Sequence, residues 1–235
     1  MSTIWKSLTQ CQSDIVKILN NNCKSIDEPD LSAFHLPDKG WINLVWCNES
    51  IRRAHIDVVD ARQSKGLWMM HVCIFPQLTN NSPIYGFDVI AGKHKMTGAF
   101  HDFSPTTDIN HPLILKFFES VKHFKPSKSR NLPEWATNIF TNNMLAASNV
   151  KSEQEACDII NIAVTNLKLY VREIKSYNYT SDSDSVIKKQ NYYCENQKKN
   201  PHTARVMKSL GLDDEMVDIF CNNMLFPQIY KSIKE

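Results

Sequence analysis

The alternation of apolar and polar positions divides the chain into two parts. Residues 40–105 contain about five or six short extended segments, each bounded by turn residues. The turns are predicted at 48–50, 60–66, 77–83 and 92–95. Residues 3–21 and most of the chain after position 105 instead repeat apolar residues every three or four positions, which predicts helices. Hairpin-linked strands followed by helices predict one α+β domain over residues 1–235, built on an antiparallel sheet.

The helices after Pro105 are predicted from the spacing of their apolar positions and from their caps. Ser152 followed by Glu155 matches a capping box at the start of the longest of them. Residues 22–39 read as a loop, and residues 176–185 read as the least ordered internal stretch. The predicted helices cover residues 108–124, a short segment at Trp135, and residues 152–173, 186–199, 200–211 and 213–230.

Ionisable side chains interrupt the apolar runs of three neighbouring strands. His55 and Asp57 are two residues apart, so on a strand they share one face. His71 lies within LWMMHVCIF, and Asp88 lies within IYGFDVIA. Burying such groups is costly unless they are paired, neutral or turned toward a pocket. We therefore expect a site formed by these strands.

The composition limits the class of protein. A hydrophobic content of 42% and a charged content of 22% are typical of a soluble globular protein. The net charge of +2 gives no indication of nucleic-acid binding. No signal peptide or membrane-spanning stretch is evident, and seven cysteines without a CxxC pair indicate reduced thiols. We expect a cytoplasmic protein that binds neither membrane nor nucleic acid.

Several chemistries lack their sequence signatures. The chain contains no GxGxxG, Walker or GxSxG motif, and no third ligand at fixed spacing supports a metal site at His55 and Asp57. Asp57, His71 and Asp88 remain as groups that could do acid–base work on a bound molecule. The residues alone leave open that Asp88 caps a loop, that His71 is a core histidine, and that His55 only orients Asp57.

Seven motifs, in this order and spacing, resemble those of the ferredoxin-dependent bilin reductases. The similarity runs from about Trp41 to Tyr230, which is most of the chain. The motifs are AHIDV, KGLWMMHVCIFPQ, PIYGFDVIAG, DFSPT, RNLPEW, NPHTARVMKSLG and NNMLFPQIY. The resemblance implies an α/β/α sandwich, an antiparallel sheet with helices on both faces. It also implies a monomeric enzyme that reduces biliverdin IXα with single electrons from a [2Fe–2S] ferredoxin, without a bound flavin or metal.

The resemblance also assigns roles to individual residues. Asp88 matches the family's central aspartate, a proton donor, and His71 matches a histidine that shares a proton with the pigment. Asp57 matches the position of an essential glutamate in the phycocyanobilin-forming branch, which makes it the third catalytic candidate. The matching substrate-binding positions are His55, Thr97, Arg130, Trp135, Asn200, His202 and Val206. His202 stands where the phycocyanobilin-forming branch has a lysine.

Asp57 differs from the glutamate of the phycocyanobilin-forming branch, and this difference bears on the product. Aspartate withdraws the carboxyl group by one methylene from the position where the branch's glutamate protonates the D-ring vinyl group. The expectation is therefore four-electron reduction through a dihydrobiliverdin intermediate to phycoerythrobilin, by way of bilin radicals. Asn200 matches the phycocyanobilin-forming branch and favours the alternative product, phycocyanobilin. A second alternative is a bilin carrier that has lost the chemistry.

An acidic ferredoxin would dock faster against a basic surface. The chain offers lysines for such a surface in the loop after the first predicted helix beyond Pro105 and near the C-terminus. The candidates are Lys125, Lys128, Lys198, Lys199 and Lys208.

Overall fold

The computed structural model describes residues 3–29, 31–106, 108–177 and 182–230. Its centre is a seven-stranded sheet in which the strands follow one another in chain order and every neighbouring pair is antiparallel. The strands are β1 Lys24–Ile26, β2 Trp41–Cys47, β3 Ile51–Ala61, β4 Leu67–Pro76, β5 Ile84–Gly92, β6 Met96–Ser104 and β7 Leu145–Val150. The predicted antiparallel sheet is confirmed.

Helices surround this sheet, and most of them follow β6 in the chain. They are α1 Thr3–Asn22, α2 Leu31–Phe34, α3 Arg62–Lys65, α4 Pro112–Val121, α5 Glu134–Thr137, α6 Glu153–Glu173, α7 Ser183–Lys198, α8 Pro201–Ser209 and α9 Asp214–Ile219. Short 3₁₀ turns cover Pro37–Lys39 and Ile174–Tyr177, and a π-helical turn covers Phe220–Leu225.

The two faces of the sheet bury two separate apolar cores. On the first face, α1, α4 and α6 pack against alternate strand residues such as Ile56 and Val72. On the second face, α2, α7, α8, α9 and the π-helical turn pack against the intervening residues, such as Val59 and Cys73. Since side chains alternate along a strand, both faces are covered, as the predicted α/β/α sandwich requires.

Two strands were missed by the sequence interpretation. β1 lies within residues 22–39, which were predicted as a loop, and it is too short to show alternation. β7 reads LAASNV, a sequence of small residues with little strand propensity. Its place is set by tertiary pairing, because β6 flanks one side and the chain at Ser129 forms a bridge to Ala147 on the other.

Helix ends confirm part of the predicted capping. The Ser152 hydroxyl accepts a hydrogen bond from the Glu155 backbone N–H at 3.3 Å. The Glu155 carboxylate, however, accepts from the Ser127 N–H at 2.7 Å and so secures the preceding loop. The predicted helix over 213–230 was wrong in its second half, since regular α-helix ends at Ile219. Within the stretch 176–185, positions 178–181 lie outside the described residues.

Candidate functional site

One row of directly opposed residues crosses the second face of the sheet. Each member pairs with the next across adjacent antiparallel strands, so their side chains are neighbours. The row runs through Asn43, Asp57, His71, Asp88, Phe100 and Ala146. The structure therefore brings the three predicted catalytic residues together in adjacent positions.

Asp57 is buried in this row with a fixed carboxyl group. Only 1% of the residue is exposed, and its Oδ1 accepts a hydrogen bond from the Trp41 indole N–H at 2.6 Å. Burial raises the pKa of Asp57 to about 7, while hydrogen bonding from Trp41 and the nearby Asn43 amide opposes the rise. A carboxyl group with such a pKa can both hold and release a proton near neutral pH.

His55 belongs to a hydrogen-bonded chain beside the row. Its Nε2 lies 2.7 Å from Oδ1 of Asn43, whose Nδ2 donates to the Phe34 carbonyl at 2.8 Å. An amide oxygen only accepts, so Nε2 of His55 carries the proton in this arrangement. Burial, followed by the charges of Arg53 and His71, lowers the pKa of His55 well below its usual value. His55 thus orients Asn43, and its hydrogen bond does not go to Asp57.

His71 lies between the two carboxyl groups. It pairs with Asp57 on β3 and with Asp88 on β5, and the Phe226 ring meets it edge-on with 5.5 Å between centres. Burial lowers the pKa of His71 to about 4, with a further contribution from the positive charge of Arg53. Its buried Nδ1 has no hydrogen-bond partner among the described residues. A neutral imidazole in this position can accept or pass on a proton between the carboxyl groups and a ligand.

Asp88 occupies the next position along the row and is half-buried. Burial raises the pKa of Asp88 to about 7, and the charge of Arg130 and a hydrogen bond from the Val89 backbone act against that rise. Unlike Asp57, it retains contact with solvent. We conclude that Asp88 is the more accessible of two carboxyl groups that can be protonated near neutral pH.

Arg130 reaches the same row from the loop between α4 and α5. Its backbone N–H donates to the Ala146 carbonyl at 3.1 Å, and its guanidinium carbon lies 5.3 Å from the centre of the Phe100 ring. The side chain is exposed. Arg130 therefore provides a fixed positive charge that is accessible to a ligand carboxylate at the end of the row.

The remaining predicted ligand-binding residues differ in how available they are. The half-buried Thr97 donates its hydroxyl to the Ile90 carbonyl at 3.0 Å. Asn200 caps α8 by accepting the His202 backbone N–H at 3.1 Å, and the His202 side chain is exposed. Val206 on α8 lies partly buried against the second core, and its contacts belong to that core.

Trp135 is part of a smaller aromatic contact. It lies half-buried on α5, with its ring centre 6.4 Å from that of Phe140. Phe140 in turn packs against the second core, next to Tyr193. Trp135 is therefore connected to the sheet face of the site through other rings.

Sequence reasoning missed four residues that shape this site. Trp41 and Asn43 precede the interrupted strands, but their spacing from one another already placed them on one face of β2. Phe100 reads as an ordinary apolar strand residue, and its place between Asp88 and Arg130 depends on strand register. Phe226 follows the π-helical turn, a helix form that is common at functional sites and has no sequence signature.

A cavity of about 390 Å³ lies beside the row and does not include its titratable residues. Arg130 and Ala146 line it together with Phe140 and Thr141. The catalytic candidates face the packed helices of the second core instead, with Phe226 next to His71. The titratable groups meet through the strand register, so the candidate chemistry lies along the row and not in this cavity.

In residues 3–29, 31–106, 108–177 and 182–230, no group of three His, Cys, Asp or Glu side chains could hold a metal ion. No helix in these residues combines the length and hydrophobicity needed to cross a membrane.

The geometry of this sheet face indicates a class of protein. An antiparallel sheet enclosed by helices, with two protonatable carboxyl groups and a neutral histidine on one face, suits an enzyme that delivers protons to an enclosed organic molecule. The chain belongs to the ferredoxin-dependent bilin reductase family, whose model matches residues 28–227.

Sequence similarity to two relatives is consistent with membership in this family. The chain is 27% identical to a phycocyanobilin:ferredoxin oxidoreductase of a Synechococcus strain, over 78% of this chain and 74% of the relative. It is 28% identical to the enzyme of the same name from Prochlorococcus marinus, over 87% of this chain and 86% of the relative.

Two solved structures share the fold. The structure of PcyX is 40% identical, has a TM-score of 0.71, and the match covers 95% of this chain and 99% of that one. Phytochromobilin synthase from tomato, solved in complex with biliverdin, is 16% identical, with a TM-score of 0.75 over 93% of this chain and 82% of its own. The second likeness concerns the fold alone.

Proposed function

We propose that this enzyme reduces biliverdin IXα by four electrons to phycoerythrobilin, through a dihydrobiliverdin intermediate and bilin radicals. Electrons arrive singly from a [2Fe–2S] ferredoxin, and the protein itself binds no flavin or metal. The observation that carries the proposal is the row Asp57, His71, Asp88, in which two carboxyl groups with pKa values near 7 flank a neutral imidazole.

The row provides what stepwise reduction of a pigment requires from a protein. Each electron that enters the bilin makes it more basic, and a nearby acid must then supply a proton. Asp88 is the first donor in this proposal because it is half-buried and protonatable near neutral pH. His71 is the cross-strand neighbour of both aspartates and can pass a proton between them. Asp57, which is almost fully buried, holds a second proton.

The position of Asp57 supports phycoerythrobilin as the product. The carboxyl group is almost fully buried and its Oδ1 is held by Trp41 at 2.6 Å. A carboxyl group retained there does not extend toward a distant vinyl group, since proton transfer needs heavy atoms within about 2.6–3.2 Å. Phycoerythrobilin can form without reduction of that vinyl group, whereas phycocyanobilin cannot.

Phycocyanobilin is the second candidate product. Relatives that match over most of the chain are named phycocyanobilin:ferredoxin oxidoreductases. Asn200, which resembles the asparagine of that branch, caps α8 in this structure. The names of these relatives and the asparagine at position 200 favour phycocyanobilin, whereas the aspartate at position 57 argues for phycoerythrobilin.

The docking surface for ferredoxin is proposed near Arg130. Lys125 and Lys128 are exposed on the loop that carries Arg130. Lys208, by contrast, forms an ion pair with Asp214, and Lys198 is half-buried and bonds to Gln228 at 2.9 Å. We propose that the monomeric enzyme works in the cytoplasm and meets its acidic donor mainly through the basic loop.

An anaerobic assay tests the function directly. Biliverdin, ferredoxin, ferredoxin reductase and NADPH are incubated with the enzyme, and the extracted pigment is separated by chromatography. Phycoerythrobilin preceded by a dihydrobiliverdin supports the proposal, and phycocyanobilin retains the family and overturns the product. A stable one-to-one complex of unchanged biliverdin, with active donor proteins, would instead indicate a pigment carrier.

A further inference from the structure

Phe100 follows Asp88 in the cross-strand row and lies beneath the guanidinium group of Arg130. On one side it is directly opposite Asp88 on β5, and on the other it is directly opposite Ala146 on β7. The Ala146 carbonyl accepts the Arg130 backbone N–H, and the Arg130 guanidinium lies over the Phe100 ring. The arginine side chain is therefore directed back across the sheet toward Asp88.

Gly98 leaves the space that this arrangement needs. It lies two residues before Phe100 on β6, so both share one face of the sheet. A Cβ atom at position 98 would lie 3.1 Å from Cε2 of Phe100 and 3.5 Å from Nη1 of Arg130. The Cβ atom would crowd the ring, whereas its distance from the guanidinium group is an ordinary van der Waals contact. The position of the Phe100 ring beneath Arg130 thus depends on the glycine at position 98.

The arrangement has an electrostatic effect on Asp88. The positive charge of Arg130 favours the ionised carboxylate and so opposes the rise in pKa that burial causes. Because the guanidinium group is exposed, it can also pair with a carboxylate on a ligand. Such a pairing would cancel most of the charge that Asp88 experiences, and Asp88 would bind its proton more firmly.

We propose that Phe100 is a positioning residue that holds the Arg130 guanidinium over its ring and within electrostatic reach of Asp88, so that a ligand carboxylate pairing with Arg130 loads Asp88 with the proton to be transferred. The ligand is a bilin with ionised propionates, so this inference rests on the proposed function. The proton comes from solvent when the ligand binds, and Asp88 releases it to the reduced bilin. Substrate binding and acid loading are therefore one event.

Other groups near Asp88 bear on its titration. His71 faces it from β4, and Asp57 lies one strand further along the row. Asp102 shares this face of β6 but is engaged by hydrogen bonds from Ser104 and Thr141. The C-terminal segment packed on this face places the uncharged ring of Phe226 against His71. Variants at Arg130 and Phe100 leave all of these groups in place.

An infrared titration of the Asp88 carboxyl band is the first test, with Asp88→Asn identifying the band. Without ligand, Phe100→Leu and Arg130→Gln should each have a midpoint about one pH unit above that of the wild type, because each removes the positive charge that favours the ionised carboxylate. Phe100→Tyr keeps a ring and should leave the midpoint unchanged. Biliverdin should raise the wild-type midpoint by a similar amount, whereas biliverdin dimethyl ester, which lacks both carboxylates, should not.

Kinetics provides the second test. Activity that needs protonated Asp88 falls as pH rises, and kcat/KM reports the free enzyme whereas kcat reports the complex. In the wild type the fall in kcat should lie about one pH unit above the fall in kcat/KM, the same displacement as in the titration. In Phe100→Leu the two should coincide, and in Phe100→Tyr they should stay apart.

The outcomes separate this inference from the proposed function. If the wild type reduces the bilin but its kcat and kcat/KM fall at the same pH, the coupling is overturned and the enzyme assignment stays intact. The same holds if kcat and kcat/KM of Phe100→Leu still fall at different pH values. Absence of turnover, together with the expected infrared shift on biliverdin binding, overturns the proposed function and leaves the coupling standing. An unchanged Asp88 midpoint in both Phe100→Leu and Arg130→Gln overturns the coupling in every case.

Discussion

Trp41 determines where the carboxyl group of Asp57 lies. The indole N–H of the first residue of β2 donates a 2.6 Å hydrogen bond to Oδ1 of an aspartate that is 1% exposed on β3. The pairing of Trp41 with Val59 sets the diagonal relationship that makes this bond possible. Since hydrogen bonds to the ionised form lower a carboxyl pKa, Trp41 partly offsets the effect of burial on Asp57.

Replacing Trp41 by phenylalanine should therefore raise the pKa of Asp57 further above about 7 and free its carboxyl group to move. We expect altered product ratios, with stability reduced by about 1–2 kcal/mol for the lost hydrogen bond and packing. Trp46→Phe is a matched control, because the Trp46 indole donates to Asn20 on the opposite face of the sheet at 2.8 Å. Equal product ratios in both variants would contradict a role for the Trp41 bond in chemistry.

Glutamate at position 57 tests the origin of product specificity. The longer side chain extends the carboxyl group by one methylene and cannot keep the 2.6 Å bond to Trp41 without displacement. We expect Asp57→Glu to divert part of the product to phycocyanobilin, measured by chromatography of the extracted pigment. Asp57→Asn is the control, since it keeps the length and removes the acid. An unchanged product from Asp57→Glu would show that position 57 does not select the product.

Asparagine at position 88 removes the carboxyl group that we propose as the first proton donor. Asp88→Asn should bind biliverdin with near wild-type affinity and lose at least about 100-fold in turnover, the scale of a missing general acid. Absorption spectroscopy after rapid mixing with reduced ferredoxin should show an early radical that persists. Asp102→Asn is a demanding control, because it alters a buried carboxyl group on the same face of the neighbouring strand. It should lower stability through Ser104 and Thr141 while the folded fraction retains turnover.

The geometry of β-strands explains which parts of this site could be predicted from the sequence. Two-residue alternation placed His55 and Asp57 on one face, and apolar flanks marked His71 and Asp88 as exceptional. Register across four strands, however, depends on turn lengths and on the bulge between Ile90 and Ala91. The contacts of Phe100 with its neighbours could therefore not be read from the sequence.

The same limit applies to the fold. Strong periodicity predicted the long helices and the central strands, where local preference and burial agree. β7 forms from small residues because β6 and the segment at Ser129 supply its partners, and the break at Ile219 comes from a π-helical turn. Both features arise from tertiary contacts, and neither has a local pattern that distinguishes it.

Asn43 should matter for stability more than for proton transfer. Its amide accepts from His55 Nε2 and donates to the Phe34 carbonyl, and it is fully buried. Asn43→Ala leaves buried partners unsatisfied and should lower the free energy of unfolding by about 2–4 kcal/mol. Urea denaturation measures this loss. Asn48→Ala, at a half-buried position in the turn after β2, is the comparison and should cost less. Equal losses would show that the hydrogen bonds of Asn43 with His55 and Phe34 contribute no more to the free energy of unfolding than those of Asn48.

The raised carboxyl pKa values predict a specific dependence of stability on pH. Asp57 and Asp88 have pKa values near 7 when folded and near 3.8 when unfolded, so the folded state holds more protons between these limits. Their contribution is fully present below about pH 4 and is lost as pH rises through 7. Histidines with lowered pKa values act in the opposite direction, so the variant must be compared with the wild type at each pH.

Asp88→Asn removes one of the two carboxyl contributions and keeps the histidines. Relative to wild type, the variant should gain stability between pH 5 and pH 8, by on the order of 1–2 kcal/mol in urea unfolding. Asp60→Asn serves as the control of opposite sign, because its ion pair with Arg62 lowers the pKa of Asp60. That pair is partly exposed, so its effect should be small and confined to the acid side. A stability difference between Asp88→Asn and wild type that stays constant from pH 5 to pH 8 would mean that Asp88 is ionised throughout, and Asp88 would then not be the proton donor.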